Sequence, residues 1–308
     1  MKALLFVCVF ILLSTAYASV QSIVTIPHVA ADFQRLVDEM RAADQDRPGY
    51  CDVQLNYQNK YDAVNFPSHK LFEKVDDNLL KRPIYKKLLN LRKFYNPQAG
   101  IKELQSLAKE TAINSFYEEI WWSGPFQKLM TFLHAHGHPW ATNMNVFNTA
   151  IRSIWFDEFA RNKATLNLID TSGVVMHNMQ ETPTDVFEYQ GYYDKLYDVI
   201  AKTNIKWRTL EKKEGSYLVN SSPAFDFALF TACALMPGPQ NKCRVVYRGC
   251  TIDIKVSERS VKRSSGIKNM YINSVFPIPA DTQSGTCQTT HEENQLCCLL
   301  GNMDGIFS

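Results

Sequence analysis

The sequence has almost no net charge, and outside its amino terminus it has no long apolar run. Its 33 basic and 31 acidic residues give a formal net charge of +2 at pH 7. Proteins that bind nucleic acid through their overall charge show a clear basic excess, so an anionic partner would have to be held by a local patch. No internal repeat or low-complexity segment stands out. Because 45% of the residues are hydrophobic and 12% aromatic, the chain predicts an ordered protein with a large core.

The long apolar run at the amino terminus has the form of a signal peptide. Lys2 supplies the positive start, Ala3–Leu13 the apolar core, and Ala16-Tyr17-Ala18 the small residues of a cleavage site. We therefore expect residues 1–18 to be removed and the protein to be secreted. The run is shorter than the ~18 apolar residues of a membrane span, and no later segment approaches that length, so we expect no membrane span.

Cysteine usage fits a secreted protein. Cys8 lies in the signal segment, which leaves seven of the eight cysteines and, with disulfides expected, one unpaired thiol. Cys233 closes a predicted helix and Cys243 opens a predicted strand across a short turn, so we predict that they are bonded, with Cα atoms about 4.4–6.8 Å apart. The tail contains Cys287, Cys297 and Cys298, and any of these could pair with Cys250 or Cys51. The sequence leaves the choice among these pairings open.

Hydrophobic periodicity changes from helical to strand-like near the middle of the chain. Helical spacing predicts a helix at Val29–Met40 and two more, at Leu71–Leu79 and Ile84–Phe94, on the two sides of Pro83. It also predicts a pair of helices between Ile101 and Leu133, split at Gly124-Pro125, and a further helix that ends near Phe159. Alternating or β-favouring runs predict strands at Leu166–Ile169, Val174–Met179, Tyr217–Val219, Arg244–Tyr247, Thr251–Val256 and Met270–Phe276. This order predicts an α+β fold with a helical amino-terminal half and a sheet-rich carboxy-terminal half.

Two segments carry the strongest functional pattern. Between Trp155 and Glu181, a helix end is followed by the turn Ser172-Gly173 and a β-favouring run that carries His177. Between Asn220 and Met236, a Ser-Pro pair predicts the start of a helix with one apolar face, and a Cys-Arg-Val strand follows it. Together these segments resemble the EndoU family of uridine-preferring RNA endonucleases.

The resemblance implies one continuous domain with an antiparallel sheet-rich carboxy-terminal half. We place an amino-terminal helical segment at residues 19–50, an EndoU-like domain at 51–278 and a cysteine-containing tail at 279–308. The resemblance also implies single-stranded, uridine-containing RNA as the partner. Because some members of the family use a divalent ion, it implies Mn²⁺ or Ca²⁺ as an assisting cofactor if activity is retained.

Metal-independent RNA cleavage uses the ribose 2′-hydroxyl as the nucleophile on the neighbouring phosphate. It requires a base near that hydroxyl, an acid near the leaving oxygen and a positive charge near the phosphorane. Two histidines and a lysine meet these needs near neutral pH. EndoU enzymes have one histidine after the Ser-Gly turn, a second about fifteen residues later and a lysine shortly before the Ser-Pro helix.

The chain departs from the family at the first histidine. The family position falls on Met176, and the histidine stands one place later, at His177, whereas the closing acid Glu181 keeps its spacing. In a strand, one place reverses the face, so we expect Met176 to face the cleft and His177 to face away unless a bulge intervenes. The alternative role of His177 is that of a strand histidine with a satisfied hydrogen bond.

The second histidine is missing. No histidine occurs between Asn178 and Thr290, and Tyr193, two places after Gly191, stands at the expected position. A tyrosine is a poor general base near neutral pH unless its pKa is strongly lowered. The proton-transfer pair of the family is therefore incomplete in this sequence.

The remaining candidates fit better. Lys212 matches the family lysine, with Lys213 beside it, although a solvated loop lysine is an equal alternative. Near the chain end, Tyr271 and Ser274 resemble the family strand that holds the base, and packing is the alternative role. Asn273 stands where the family strand has a glycine. A glycine at that position lets a ligand approach the backbone closely.

Other features compete for a functional role. His134, His136 and His138 alternate as zinc ligands can, but no further ligand is evident nearby, so we predict no metal site there. The sequence Asn220-Ser221-Ser222 is a glycosylation sequon, and its position before a helix predicts an exposed asparagine.

Two hypotheses follow. In the first, the protein still cleaves RNA slowly, with His177, Lys212 and Glu181 in altered roles. In the second, it is a non-catalytic EndoU-fold protein that binds RNA or a non-RNA partner. Loss of one proton-transfer group lowers the rate by ~10²–10⁴-fold, which favours weakened or lost catalysis with RNA binding retained.

Overall fold

Helices dominate the amino-terminal half of the described chain and strands the carboxy-terminal half, which confirms the predicted α+β class. The computed structural model describes residues 30–49, 51–94, 105–157, 187–207, 210–262, 268–283 and 286–287. The helices in these ranges are α1 (Ala30–Ala42), α2 (Asp77–Lys81), α3 (Pro83–Arg92), α4 (Leu107–Trp122), α5 (Gly124–Ala135), α6 (Met144–Phe156) and α7 (Pro223–Leu235), with short 3₁₀ helices at Pro139–Thr142 and Pro239–Asn241. Within those same ranges, no helix is long and apolar enough to cross a membrane.

Eight strands form three antiparallel sheets in the described ranges. The strands are β1 (Val53–Leu55), β2 (Phe72–Val75), β3 (Phe187–Leu196), β4 (Ile200–Trp207), β5 (Leu210–Leu218), β6 (Lys242–Tyr247), β7 (Cys250–Lys262) and β8 (Lys268–Pro279). The sheets are the hairpin β1-β2 and two three-stranded sheets, in the orders β3-β4-β5 and β6-β7-β8. The last two sheets meet where the Ser216 hydroxyl of β5 donates to the carbonyl of Pro277 in β8.

Helix α7 lies at the centre of the core. Every residue from Pro223 to Leu235 is buried, so the helix is buried around its whole circumference and not only on the single apolar face that we predicted. The ring of Phe227 lies 4.8 Å from Trp155 of α6 and 6.0 Å from Phe126 of α5, measured between ring centroids. Because α7 is surrounded on all sides, helices from the first half of the chain pack directly on an element from the second half.

Helix α1 belongs to this same core. Its residues Phe33, Leu36, Val37 and Met40 are buried. The side-chain amide of Gln34 donates to the carbonyl of Val246 at 2.9 Å and accepts from its N–H at 2.7 Å. This pair of hydrogen bonds occupies backbone groups that an edge strand otherwise leaves open.

Serine caps fix the starts of two helices. The Ser222 hydroxyl accepts from the N–H of Phe225 at 3.0 Å, and Pro223 occupies the first helical position, as predicted. The Ser123 hydroxyl caps α5 just before the Gly124-Pro125 pair, which confirms the predicted split between α4 and α5.

The disulfide predicted between Cys233 and Cys243 is confirmed, with 5.5 Å between the two Cα atoms. Among the open connectivities for the tail, the structure selects Cys250–Cys287, with a Cα separation of 4.3 Å. Cys51 is also disulfide-bonded. The bond to Cys287 ties the start of the tail to the first residue of β7.

The helix predicted at Leu71–Leu79 is wrong in its first half. Phe72–Val75 forms β2, which pairs with β1 through Val53–Val75 and Leu55–Phe72, and α2 begins only at Asp77. A pattern of apolar residues at 71, 72, 75 and 79 fits a helix locally, but pairing with β1 satisfies the backbone of this segment instead. The predicted strands at Leu166–Ile169 and Val174–Met179 lie outside the described residues.

The exposure predicted for the glycosylation sequon is also wrong. Asn220 is 6% exposed, Ser221 1% and Ser222 0%. The side-chain amide of Asn220 faces the carboxylate of Asp198 at 3.5 Å. An oligosaccharide needs an accessible asparagine, so this folded segment does not favour glycosylation.

Asp44 should make stability depend on pH. Its buried carboxylate accepts a hydrogen bond from the Ser222 hydroxyl at 2.7 Å, and burial raises its pKa from 3.8 to about 6. Between pH about 4 and 6 the folded protein binds more protons here than the unfolded chain, so stability should fall as the pH rises. Asp44→Asn keeps the acceptor and removes the charge, so we expect it to raise the unfolding free energy at pH 7 by up to about 3 kcal/mol.

Urea unfolding of both proteins at pH 4, 5, 6 and 7 measures this difference. The gain in Asp44→Asn should be small at pH 4 and largest at pH 7. A gain that is independent of pH would contradict the assigned role of the Asp44 carboxylate.

Candidate functional site

The sheet β3-β4-β5 carries the candidates Lys212 and Lys213, and an extra chain segment docks on its open edge. The N–H of Tyr61 donates to the carbonyl of Tyr192 at 2.8 Å, and the N–H of Tyr192 donates to Asn59 at 3.4 Å. This contact requires Gly191, whose φ of +113° is reserved for glycine. A Cβ there would lie 2.7 Å from the Cα of Tyr61, closer than atoms approach.

Tyr193 is the extra residue of a β-bulge in β3. Tyr192 pairs with Thr203 and Asp194 with Lys202, so β3 advances by two residues where β4 advances by one. The Tyr193 ring packs against that of Tyr61, with centroids 4.9 Å apart and planes inclined by 31°. Tyr193, which we predicted at the second histidine position, thus has a well-defined aromatic partner.

The pKa of Tyr193 is raised above its usual 10.0. Burial is the main cause, followed by Tyr61 and the carboxylates of Glu211 and Glu214. A phenol with a raised pKa keeps its proton at neutral pH and cannot accept one there. The environment therefore moves Tyr193 away from general-base behaviour.

A network of hydrogen-bonded side chains holds the Tyr61 hydroxyl. Asn204 is fully buried, and its amide donates to the side-chain oxygen of Gln190 at 2.8 Å and to Glu211 at 2.6 Å. The Tyr61 hydroxyl donates to the same Glu211 oxygen at 3.3 Å. Tyr61 is thus held by its backbone at β3 and by its hydroxyl at β5.

Lys212 lies in strand β5, so its alternative role as a loop lysine is wrong. It pairs with Ile205 of β4, and its side chain is half-buried and runs beside Gly215, where an added Cβ would lie 3.3 Å from its Cε. The next residue, Lys213, is exposed, with its amine 3.9 Å from a carboxylate oxygen of Glu211. The structure thus places a half-buried and an exposed lysine in succession on β5.

The candidates on β8 lie on a strand that contacts β5. Ser274 stands opposite Ser257 of β7, the side chain of Asn273 donates to the Ser257 hydroxyl at 3.4 Å, and Tyr271 is buried at 4% exposure. Met176, His177 and Glu181 lie outside the described residues. Their convergence with Lys212 and Ser274 therefore stays a prediction.

Two of the alternating histidines, His136 and His138, are engaged in packing and hydrogen bonding within the fold. His138 is fully buried, and its Nδ1 accepts from the N–H of Trp140 at 3.2 Å. The ring of His136 stacks on Phe132, with centroids 3.9 Å apart. In the described part of the chain, no group of three or more His, Cys, Asp or Glu side chains is placed to hold a metal ion.

Tyr61, Asn204 and Glu211 were not among the predicted site residues. Strands β3 and β4 and most of β5 were not predicted, because polar and charged residues interrupt any regular alternation there. Without these strands, nothing brings Asn204 near Glu211.

Comparisons with known proteins agree with this geometry. The profile of the family described as Endoribonuclease XendoU matches residues 32–182 and 174–277. The chain is 26% identical to uridylate-specific endoribonuclease C of Xenopus laevis over 277 residues, covering 80% of this chain and 89% of that protein. It is 27% identical to the uridylate-specific endoribonuclease of Bos taurus, covering 80% of this chain and 65% of that protein.

A solved structure shows the same fold. It is entitled "The structure of XendoU: a splicing independent snoRNA processing endoribonuclease" and superposes with a TM-score of 0.63 at 21% identity, covering 84% of this chain and 99% of its own. The fold is therefore that of an α+β endoribonuclease. The family profile spans most of the chain, so the chain belongs to the XendoU family, which confirms the resemblance inferred from sequence.

Gly191→Ala should release the segment that docks on β3. The new Cβ meets the backbone of Tyr61, which cannot move aside as a flexible side chain does, and the positive φ adds strain. We expect a loss of about 2–4 kcal/mol in unfolding free energy and faster hydrogen exchange at the amides of Tyr61 and Tyr192.

Gly137→Ala is the matched control. Gly137 also has a positive φ, +68°, but a Cβ there meets nothing within 4 Å. It should lose only the conformational part, about 1 kcal/mol. Equal losses in the two variants, with unchanged exchange at Tyr61, would contradict the role assigned to Gly191.

Proposed function

We propose that this protein is a secreted member of the XendoU family that binds single-stranded, uridine-containing RNA and cleaves it weakly or not at all. Family membership supplies the link to RNA: the relatives named above are uridylate-specific endoribonucleases. The observation that carries the loss of catalysis is the state of Tyr193, at the second histidine position of the family.

Tyr193 supports weakened catalysis because it cannot replace an imidazole. A histidine exchanges its proton near neutral pH, whereas the raised pKa of Tyr193 keeps its hydroxyl protonated. A protonated phenol cannot take the proton of a 2′-hydroxyl. Tyr193 thus leaves the site without the second proton-transfer group.

Retained RNA binding is supported by the lysines of β5. The half-buried Lys212 occupies the position of the family lysine, and Lys213 is exposed beside it. Positive side chains at a cleft hold phosphates whether or not cleavage follows. Ser274 and Tyr271 are the proposed contacts of the uracil base, on the strand that reaches β5 at Ser216.

Secretion is supported by the signal-peptide pattern of residues 1–18 and by the two disulfides Cys233–Cys243 and Cys250–Cys287. Disulfides of this kind persist in oxidising compartments. Expression with the full leader, followed by sequencing of the protein recovered from the medium, tests the cleavage after Ala18.

The unmodified mature protein should leave oligo(U) nearly intact. One proton-transfer group is absent and the other displaced, and each loss lowers the rate by ~10²–10⁴-fold. A gel assay with and without Mn²⁺ measures the cleavage. Strong cleavage that disappears in His177→Ala would contradict the proposal and make His177 the acid or base.

Restoring both histidines should raise cleavage far more than restoring either one. Met176→His and Tyr193→His each rebuild half of a pair that acts as a unit, so the single variants should gain little and the double variant should gain more than their product. The rates are compared by single-turnover cleavage of oligo(U). Additive small gains would show that these positions do not form the site.

Lys212→Ala should weaken RNA binding and its salt dependence. If Lys212 contacts a phosphate, its removal should lower the slope of log K against log salt by about 1. Lys86→Ala, at an exposed lysine of α3, is the control and should leave the slope unchanged. Titrations of labelled oligo(U) at several salt concentrations provide the slopes.

These titrations also decide between the two functional hypotheses. If the unmodified protein fails to bind RNA at low salt, the RNA-binding function is wrong. The non-catalytic protein with a non-RNA partner then becomes the better hypothesis.

A further inference from the structure

We propose that Tyr61 and Tyr193 form a base-stacking platform, on which an unpaired base of single-stranded RNA lies against the aromatic rings. This inference rests on the proposed RNA-binding function and assigns a new task to the second histidine position. The platform consists of the two rings, whose centroids are 4.9 Å apart.

Both rings combine partial exposure with a fixed position. Tyr61 and Tyr193 are each half-buried, so each keeps part of its surface open. The backbone of Tyr61 is anchored to Tyr192, and its hydroxyl is anchored to Glu211. Because the anchors hold the ring before any ligand arrives, a bound base does not have to order it, and less entropy is lost on binding.

Hydrogen bonds from Asn204 support this anchoring. Asn204 is fully buried and bridges Gln190 and Glu211, so the acceptor of the Tyr61 hydroxyl is itself held in place. Gly191 supplies the close approach that brings Tyr61 to the strand of Tyr193. Tyr61 is thus held at two points, by its backbone at Tyr192 and by its hydroxyl at Glu211.

The charges around the rings suit a nucleic acid. The carboxylate of Glu214 lies 2.7 Å from the amine of Lys202, and that of Glu211 lies 3.9 Å from the amine of Lys213, so lysines offset both negative charges. Tyr193 carries no charge near pH 7, because the pKa of a phenol is ordinarily 10.0 and burial raises it further here. Lys60 is exposed and precedes Tyr61 in the chain, and Lys212 follows Glu211 in β5, so these lysines are the candidates for phosphate contacts; Asp62 and Asp194, which follow the two tyrosines in the chain, are exposed as well.

An unpaired base is the occupant that these features fit. Every base has a flat π face that stacks on tyrosine, and the phosphates on either side of the base need neighbouring lysines. Stacking tolerates all four bases, so the platform adds affinity without selecting uridine. Oligo(U) and oligo(A) should therefore lose affinity by similar factors when a ring is removed.

Fluorescence anisotropy with labelled oligo(U) and oligo(A) tests the platform. Tyr61→Leu and Tyr193→Leu should each weaken binding by about 5- to 100-fold for both oligonucleotides. Tyr193→Phe keeps the ring and should stay within about twofold of the unmodified protein. The control is Tyr197→Leu, at a tyrosine in the turn after β3 that is 42% exposed and has no role in the platform; it should not change binding.

Photo-crosslinking gives a second measurement that needs no variant. Oligonucleotides that contain 5-iodouridine crosslink to aromatic side chains in stacking contact, and peptide mapping should find the crosslink at Tyr61 or Tyr193. This result supports the platform even if a leucine variant folds poorly.

The outcomes separate the platform from the function on which it rests. If the unmodified protein binds RNA, the leucine variants bind equally well and no crosslink maps to either tyrosine, the platform is overturned and the RNA-binding function stands. If the unmodified protein binds no RNA, both are overturned.

Discussion

The fold depends on the complete burial of helix α7. A helix that is apolar on all sides needs partners on all sides, so helices from the first half of the chain surround an element from the second half. Phe227 contacts aromatic rings of other helices, while the hydroxyl of Ser222, at the start of α7, binds the buried carboxylate of Asp44 after α1. Helix α7 also contacts strands β7 and β8 of the last sheet.

The sheet β3-β4-β5 is stabilised in a different way. Its open edge is covered by the segment of Tyr61, and the side-chain amide of the buried Asn204 links Gln190 of β3 to Glu211 of β5, so backbone pairing and buried hydrogen bonds supplement apolar packing. A side chain such as Tyr193 sits on a bulge at this edge, where its identity can change while the core around α7 is unaffected. Because of this separation, the residue at the bulge can change while the chain keeps the XendoU fold.

Prediction from sequence succeeded where local physics is strong. The Ser-Pro start of α7 and the Gly124-Pro125 break between α4 and α5 follow from capping and proline geometry, which act within a few residues. It failed at β2, where a helical spacing of apolar residues was overruled by pairing with β1. The placement of Lys212 in a strand was likewise decided by its neighbour β4, because β-propensity depends on context.

The sequence by itself determined the fold class, the disulfide Cys233–Cys243 and the absence of a second histidine. These features depend on periodicity, on short chain separation or on residue identity alone. Only the tertiary structure decided that Asn220 is buried, that Tyr61 meets Tyr193 and that Asn204 joins Glu211. Such contacts arise when distant strands pair, and strand register is set by the whole sheet, so no local pattern in the sequence encodes them.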